Sequence, residues 1–281
     1  PSGADIQVDD QQTGKTTPDT VQLQSGSHTI TINKNGYIPN SSLVVVNQDT
    51  TIALSVALEI QKRVLLEVFG NVSCTPCVDA AHNLHTFIGS NSKSSFAIIE
   101  YYANWPSPND PFYKQAPKDV NQRLMYYQLA SLPSLFVGGT LGVDATLYED
   151  IDQAFQISYA QAEPNIGLSI SKQLIDGQLD VRVESACIEP CKDLDSYSLF
   201  VAIVENDIRF DSPPGSNGLT EFNFVFRGFL STNTGDSFDT TLASQLFTYS
   251  IEWPGWNFSN TEIIAFIQDR NTKEVIHTAV N

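Results

Sequence analysis

Basic residues are scarce in this chain. Among 281 residues there are 15 lysines and arginines against 32 aspartates and glutamates, for a formal net charge of −17. Nucleic-acid phosphates and anionic lipid headgroups repel a chain so acidic, which excludes nucleic acid as a partner. The acidity itself reads as a device for solubility. Only four histidines occur, which leaves little room for imidazole catalysis. No apolar run approaches the roughly 20 residues of a membrane-spanning helix. No leader peptide is evident, as in a mature or trimmed product. A Gly-rich phosphate loop, a Ser-His-Asp order and a paired-carboxylate motif are all missing, so no cofactor is expected.

What is present is a chain with 41% hydrophobic residues, enough to bury real cores. Its length implies two or three domains. The four cysteines fall in two close pairs, Cys74/Cys77 and Cys187/Cys191. With abundant Asn, Thr, Ser and Gln, this usage points outside the cytoplasm, where disulfides persist.

Along the chain, residues 1–18 are polar, lack an apolar period and read as a flexible tether. A lipid-anchored precursor is suspected from this tether, although no cysteine heads the sequence. Residues 19–60 read as short strands: TVQL, HTITI, SLVVVN and TIALSVAL, with turns at Ser25-Gly26 and Asn35-Gly36. Residues 61–163 alternate β and α patterns, from the strand VLLEVF through the helix SCTPCVDAAHNLHTFI to a last helix LYEDIDQAFQISYAQ. Pro117 sits in the first turn of a middle helix. Such an order predicts a partly parallel sheet covered by helices. Residues 164–281 contain strand-like runs without helices and predict an antiparallel β-sandwich. The expected fold class is therefore α+β multidomain.

The strongest chemical signal is Cys74-Thr75-Pro76-Cys77 at a strand-to-helix junction. A cysteine at a helix N-terminus lies near unpaired N–H groups and the positive end of the dipole, which stabilises a thiolate. Cys74 is then the attacking thiol and Cys77 resolves the mixed disulfide. The competing reading is a permanent disulfide that staples helix to loop. Glu67, on the preceding strand, is either a proton relay or an ordinary carboxylate paired at the sheet end. A zinc set of Cys74, Cys77, His82 and His85 fails, because Cys74 and His85 lie about 16 Å apart by helical rise. No metal site is assigned. Cys187 and Cys191 in ACIEPC read as a structural disulfide fixing a loop between strands. The aromatics Tyr101, Tyr102, Trp105, Phe112, Tyr113, Tyr126 and Tyr127 either pack a loop or line a peptide groove. Asn71-Val72-Ser73 and Asn257-Phe258-Ser259 fit the N-glycosylation pattern, and Asp19-Thr20-Val21, Asp49-Thr50-Thr51 and Asp239-Thr240-Thr241 resemble a short O-glycosylation signal.

Three resemblances follow from these residues. The run VQLQSGSHTITINKNGYIPNSSLVVVNQDTTIALSVAL, with Gly26 before His28 and the Gly36-Tyr37 pair, resembles a PEGA module. Cys74-Thr75-Pro76-Cys77 together with SLPSLFVGG resembles the thioredoxin family, which implies a cis Pro133 and a Leu132 backbone open to an extended client. The sequence departs from many active members at Ser73, where they carry an aromatic residue. RVLLEVFGNVSCTPCVDA and WNFSNTEIIAFIQDRNTKEVIHTAV together resemble the outer-membrane protein 28-like lipoproteins, over about residues 63–281. That resemblance implies an outer-membrane-associated, periplasmic or cell-surface protein. Two functions remain open: thiol-disulfide exchange on protein clients, with Cys74, Cys77 and Pro133 at the site, or a binding scaffold within an envelope complex.

Overall fold

A computed structural model describes residues 2–161, 164–187 and 196–281. The chain divides into two compact units, Pro1–Gln61 and Lys62–Asn281.

The first unit is a four-stranded antiparallel sheet of β1 (Asp5–Val8), β2 (Gln11–Thr16), β3 (Gly26–Asn33) and β4 (Asn40–Val46), in the order β2-β1-β3-β4. Its core gathers Ala4, Ile6, Ile30, Ile32, Tyr37, Leu58 and Ile60. The expected tether at 1–18 is corrected here. Residues 5–16 form a hairpin whose turn residues Asp9 and Asp10 both have positive φ, 48° and 65°. Aspartate tolerates that conformation, so the turn needs no glycine, and β1 is held to the core by buried Ile6 and half-buried Val8. TVQL and TIALSVAL, expected as strands, are not strands. Their apolar residues Val21, Leu23, Val56 and Leu58 pack on the core from extended chain without a ladder. The Asn35-Gly36 turn is present, with Gly36 at φ 81°.

The second unit holds β5 (Val64–Gly70), α1 (Cys77–Ser90), β6 (Phe96–Tyr102), α2 (Pro117–Tyr127), β7 (Ser134–Val137), β8 (Leu141–Val143) and α3 (Tyr148–Tyr159). β9 (Ile166–Ile175), β10 (Gln178–Cys187), β11 (Tyr197–Glu205), β12 (Ile208–Arg209), β13 (Glu221–Phe222) and β14 (Val225–Phe229) follow. The last are β15 (Asp236–Ser237), β16 (Ser244–Glu252), β17 (Thr261–Asp269) and β18 (Val275–Val280). One nine-stranded sheet runs β18-β17-β11-β14-β6-β5-β7-β8, with β15 also on β11. β6 runs parallel to β5 and to β14, and β7 runs antiparallel to β5. Strands from both sides of residue 163 thus share one sheet, joined where Val225 meets Glu100.

Strand alternation assigns the faces. Val64, Leu66 and Val68 of β5, with Phe96 and Ile98 of β6, pack under α1 and α3. Leu65 and Phe69, with Ala97, Ile99 and Tyr101, point to the other face, beneath α2. A three-stranded sheet, β16-β10-β9, packs its apolar face on β11, β17 and β18. β8 and β16 were not anticipated from the sequence. The run EFNFVFRGF is two strands, β13 and β14, broken where Phe224 takes φ 55°.

Candidate functional site

β5 ends at Gly70, and the chain turns through residues 71–76 before α1 begins at Cys77. That turn is held by buried polar groups. Asn71, 1% exposed, donates through Nδ2 to the carbonyls of Ala103 (2.8 Å) and Ser107 (2.9 Å) and accepts from the Ser73 N–H (2.8 Å). Asp110 accepts from the N–H groups of Val72, Phe112 and Tyr113 at 2.8–3.1 Å. Burial raises the Asp110 pKa, and these backbone donors oppose the rise. Because its amide is committed inside the protein, Asn71 is not an accessible glycan acceptor.

Cys74 and Cys77 form a disulfide with an S–S distance of 2.07 Å. Cys77 occupies the first position of α1, with Pro76 at the cap. Both cysteines are buried, and Cys74 is only 4% exposed. The Leu132-Pro133 bond is cis. Ser134 pairs with Phe69, so Pro133 stands at the end of β5 from which the cysteine turn departs.

Glu67 is not brought to the cysteines, and the relay role considered for it is corrected. It shares the α2 face of β5 with Leu65 and Phe69, opposite to α1. There Arg123 of α2 grips it through Nε and Nη2, both at 2.7 Å. The hydroxyls of Tyr101 (3.0 Å) and Tyr127 (2.5 Å) donate to the same carboxylate. Both tyrosines are held as neutral phenols, foremost by burial and then by the adjacent Glu67 charge.

Another carboxyl takes the place beside the disulfide. Glu100 of β6 is the register partner of Val68 and projects, like Ile98 before it, to the α1 face. A Cβ at Gly70 would stand 3.7 Å from Cys77 Sγ and 3.7 Å from Glu100 Oε1, so both groups face the small space that Gly70 leaves open. Burial pushes the Glu100 pKa from 4.5 to about 7; a hydrogen bond with Tyr102 lowers it and the Asp110 charge raises it. Its signal in the sequence was a lone carboxylate inside the apolar run FAIIEYY.

The remaining candidates have structural places. His82 and His85 are exposed on α1. Tyr101, Tyr102 and Phe112 are buried in the packing of the sheet and its loop. Cys187 ends β10, whereas Cys191 lies outside the described residues. No helix among the described residues is long and apolar enough to cross a membrane.

The PEGA domain family matches residues 1–62, a span that takes in the β1–β2 hairpin. HBP35 of Porphyromonas gingivalis is a structural relative with a TM-score of 0.65 at 13% identity, over 79% of this chain and 75% of that one. The two share a fold at that level. A putative membrane-associated protein of unknown function from Bacteroides fragilis NCTC 9343 aligns over 99% of this chain and 87% of its own, at 10% identity and a TM-score of 0.17. No curated protein matches.

Proposed function

We propose that Lys62–Asn281 carries a thioredoxin-like redox centre that exchanges disulfides with protein clients outside the cytoplasm. The observation that carries this reading is one arrangement: a Cys74–Cys77 disulfide at the start of α1, the cis Leu132-Pro133 bond beside the same strand end, and Glu100 over Gly70. The order β6-β5-β7-β8, with β7 reversed, α1 between β5 and β6, α2 between β6 and β7, and α3 after the β7–β8 hairpin, is the topology expected of a thioredoxin-like core. The PEGA match and the resemblance to the outer-membrane protein 28-like lipoproteins support a cell-envelope location, with a lipid anchor on the precursor. Cys187 and Cys191 are proposed as a structural pair.

The chemistry balances without a cofactor. In the reduced protein, the Cys74 thiolate attacks one sulfur of a client disulfide; a Cys74–client bond forms and a client thiolate leaves. Cys77 then loses its proton to Glu100, and its thiolate attacks the Cys74 sulfur. The intramolecular disulfide forms, the second client thiolate leaves, and Glu100 returns the proton to it. A carboxyl with a pKa of about 7 is matched to that transfer near neutral pH. The reverse sequence oxidises a client dithiol.

Replacing Cys77 by serine tests the reading, because the mixed disulfide on Cys74 then has no resolving thiol. Reduction-sensitive adducts on Cys77→Ser, absent from Cys74→Ser, are expected by non-reducing electrophoresis and mass spectrometry. Equal absence from both variants would refute it. The burial of Cys74 favours a second reading, a scaffold subunit of an envelope complex with inert disulfides. A stoichiometric partner retained after reduction supports that alternative.

A further inference from the structure

The segment between β12 and β13 lies on the cysteine turn. Ile208 pairs with Phe222 and Arg209 with Glu221, and the Phe210 N–H donates to the Thr220 carbonyl, so residues 211–219 form a loop on a closed stem. The stem is anchored by apolar packing of Ile208, Phe210, Leu219 and Phe222 against Val72, Tyr102, Phe112 and Val225. The tip is held differently. The Asn217 N–H donates to the Val72 carbonyl (3.0 Å), Asn217 Nδ2 to the Asn71 carbonyl (3.4 Å), and the Ser216 N–H to Ser73 Oγ (3.3 Å). All three acceptors belong to the residues directly before Cys74.

Gly215 makes the approach closer still. A Cβ there would stand 2.2 Å from the Val72 carbonyl oxygen and 2.5 Å from its carbonyl carbon. Its φ lies outside the left-handed region, so glycine is required by contact and not by backbone conformation. Ser73, which stands where many thioredoxin relatives place an aromatic residue, is one of the tip's anchors.

We propose that residues 211–219 are a strap that gates the Cys74–Cys77 disulfide. This deepens the exchange reading and rests on it for the identity of the client, an extended cysteine-bearing segment. Seated, the strap holds the Asn71 and Val72 carbonyls and the Ser73 hydroxyl, and so pins the turn that carries Cys74. The stem stays packed while three hydrogen bonds, each of modest net strength, release the tip. Cys74 is buried in the closed state and reacts from the open one.

The test is the rate at which a reduced cysteine-containing peptide reduces Cys74–Cys77 in the full chain, followed by alkylation and peptide mass. Gly215→Ala cannot seat the tip. Its rate is expected to rise about tenfold or more, in proportion to the open fraction. Asn217→Ala and Ser73→Ala keep Gly215, remove single anchors and should give smaller increases. Ser212→Ala, at an exposed site without a bond to the turn, should match wild type. Equal rates in wild type, Gly215→Ala and Asn217→Ala, with unchanged circular dichroism, would overturn the strap. The readout is access to the disulfide in the isolated protein. Accelerated reduction with no trapped adducts on Cys77→Ser would therefore refute the exchange reading and leave the strap standing.

Discussion

Replacing Glu100 by glutamine should stabilise the protein at alkaline pH and slow it as a catalyst. The folded-state pKa of Glu100 is raised from 4.5 to about 7. Below pH 4.5 the carboxyl is protonated in both folded and unfolded chains and contributes no pH dependence. As pH rises from 4.5 to 7, the unfolded chain ionises first, so stability falls, and above 7 the loss is complete. Full burial would make that loss about 3 kcal/mol, and partial solvent access reduces it to about 1–2 kcal/mol. Glu100→Gln removes the penalty. Urea denaturation should find the variant equal to wild type, within a constant offset, at pH 4 and more stable by a further ~1–2 kcal/mol at pH 8. The same variant should resolve mixed disulfides on Cys74 at least about 100-fold more slowly at pH 7, since a positioned base is lost. A stability difference between variant and wild type that does not change with pH would refute the assignment of the raised pKa to Glu100.

Other outcomes follow from the same geometry. Arg123→Met leaves Glu67 buried without its cation and should cost about 3–5 kcal/mol in chemical denaturation, while Glu67→Leu with Arg123→Met should cost less than the single change. Gly139→Ala places a Cβ 2.0 Å from the Lys273 carbonyl oxygen at φ 78°, and should lower the melting temperature by about 10 °C or more. His28 has its pKa raised above 6.5, foremost by its hydrogen bond to Asp9; Asp9→Asn should bring it down in an NMR titration.

The parts of the fold that were legible in the sequence are those where one local rule decides. The apolar run of β5, the Cys-Thr-Pro-Cys helix start and Pro117 at the first turn of α2 each carry their own signal. The β1–β2 hairpin was not legible, because its turn uses two aspartates and only Ile6 and Val8 of its strands reach the core. TIALSVAL has strand composition yet no ladder, since composition cannot supply a neighbouring strand. The direction of Glu67 was undecidable from spacing alone: a shift of one residue exchanges the faces of a strand. Glu100 depends on register between β5 and β6, and the strap on a contact between positions about 140 residues apart in sequence. Long-range pairings of that kind, including Val225 with Glu100, leave no periodicity to read.

The most direct test of a working redox centre is the reduction potential of Cys74–Cys77, measured by alkylation and peptide mass across a thiol redox series. A value between about −120 and −270 mV is expected, within the range of exchange proteins. A value below about −300 mV, or a bond that yields only after the protein unfolds, would mark a structural staple and contradict the account.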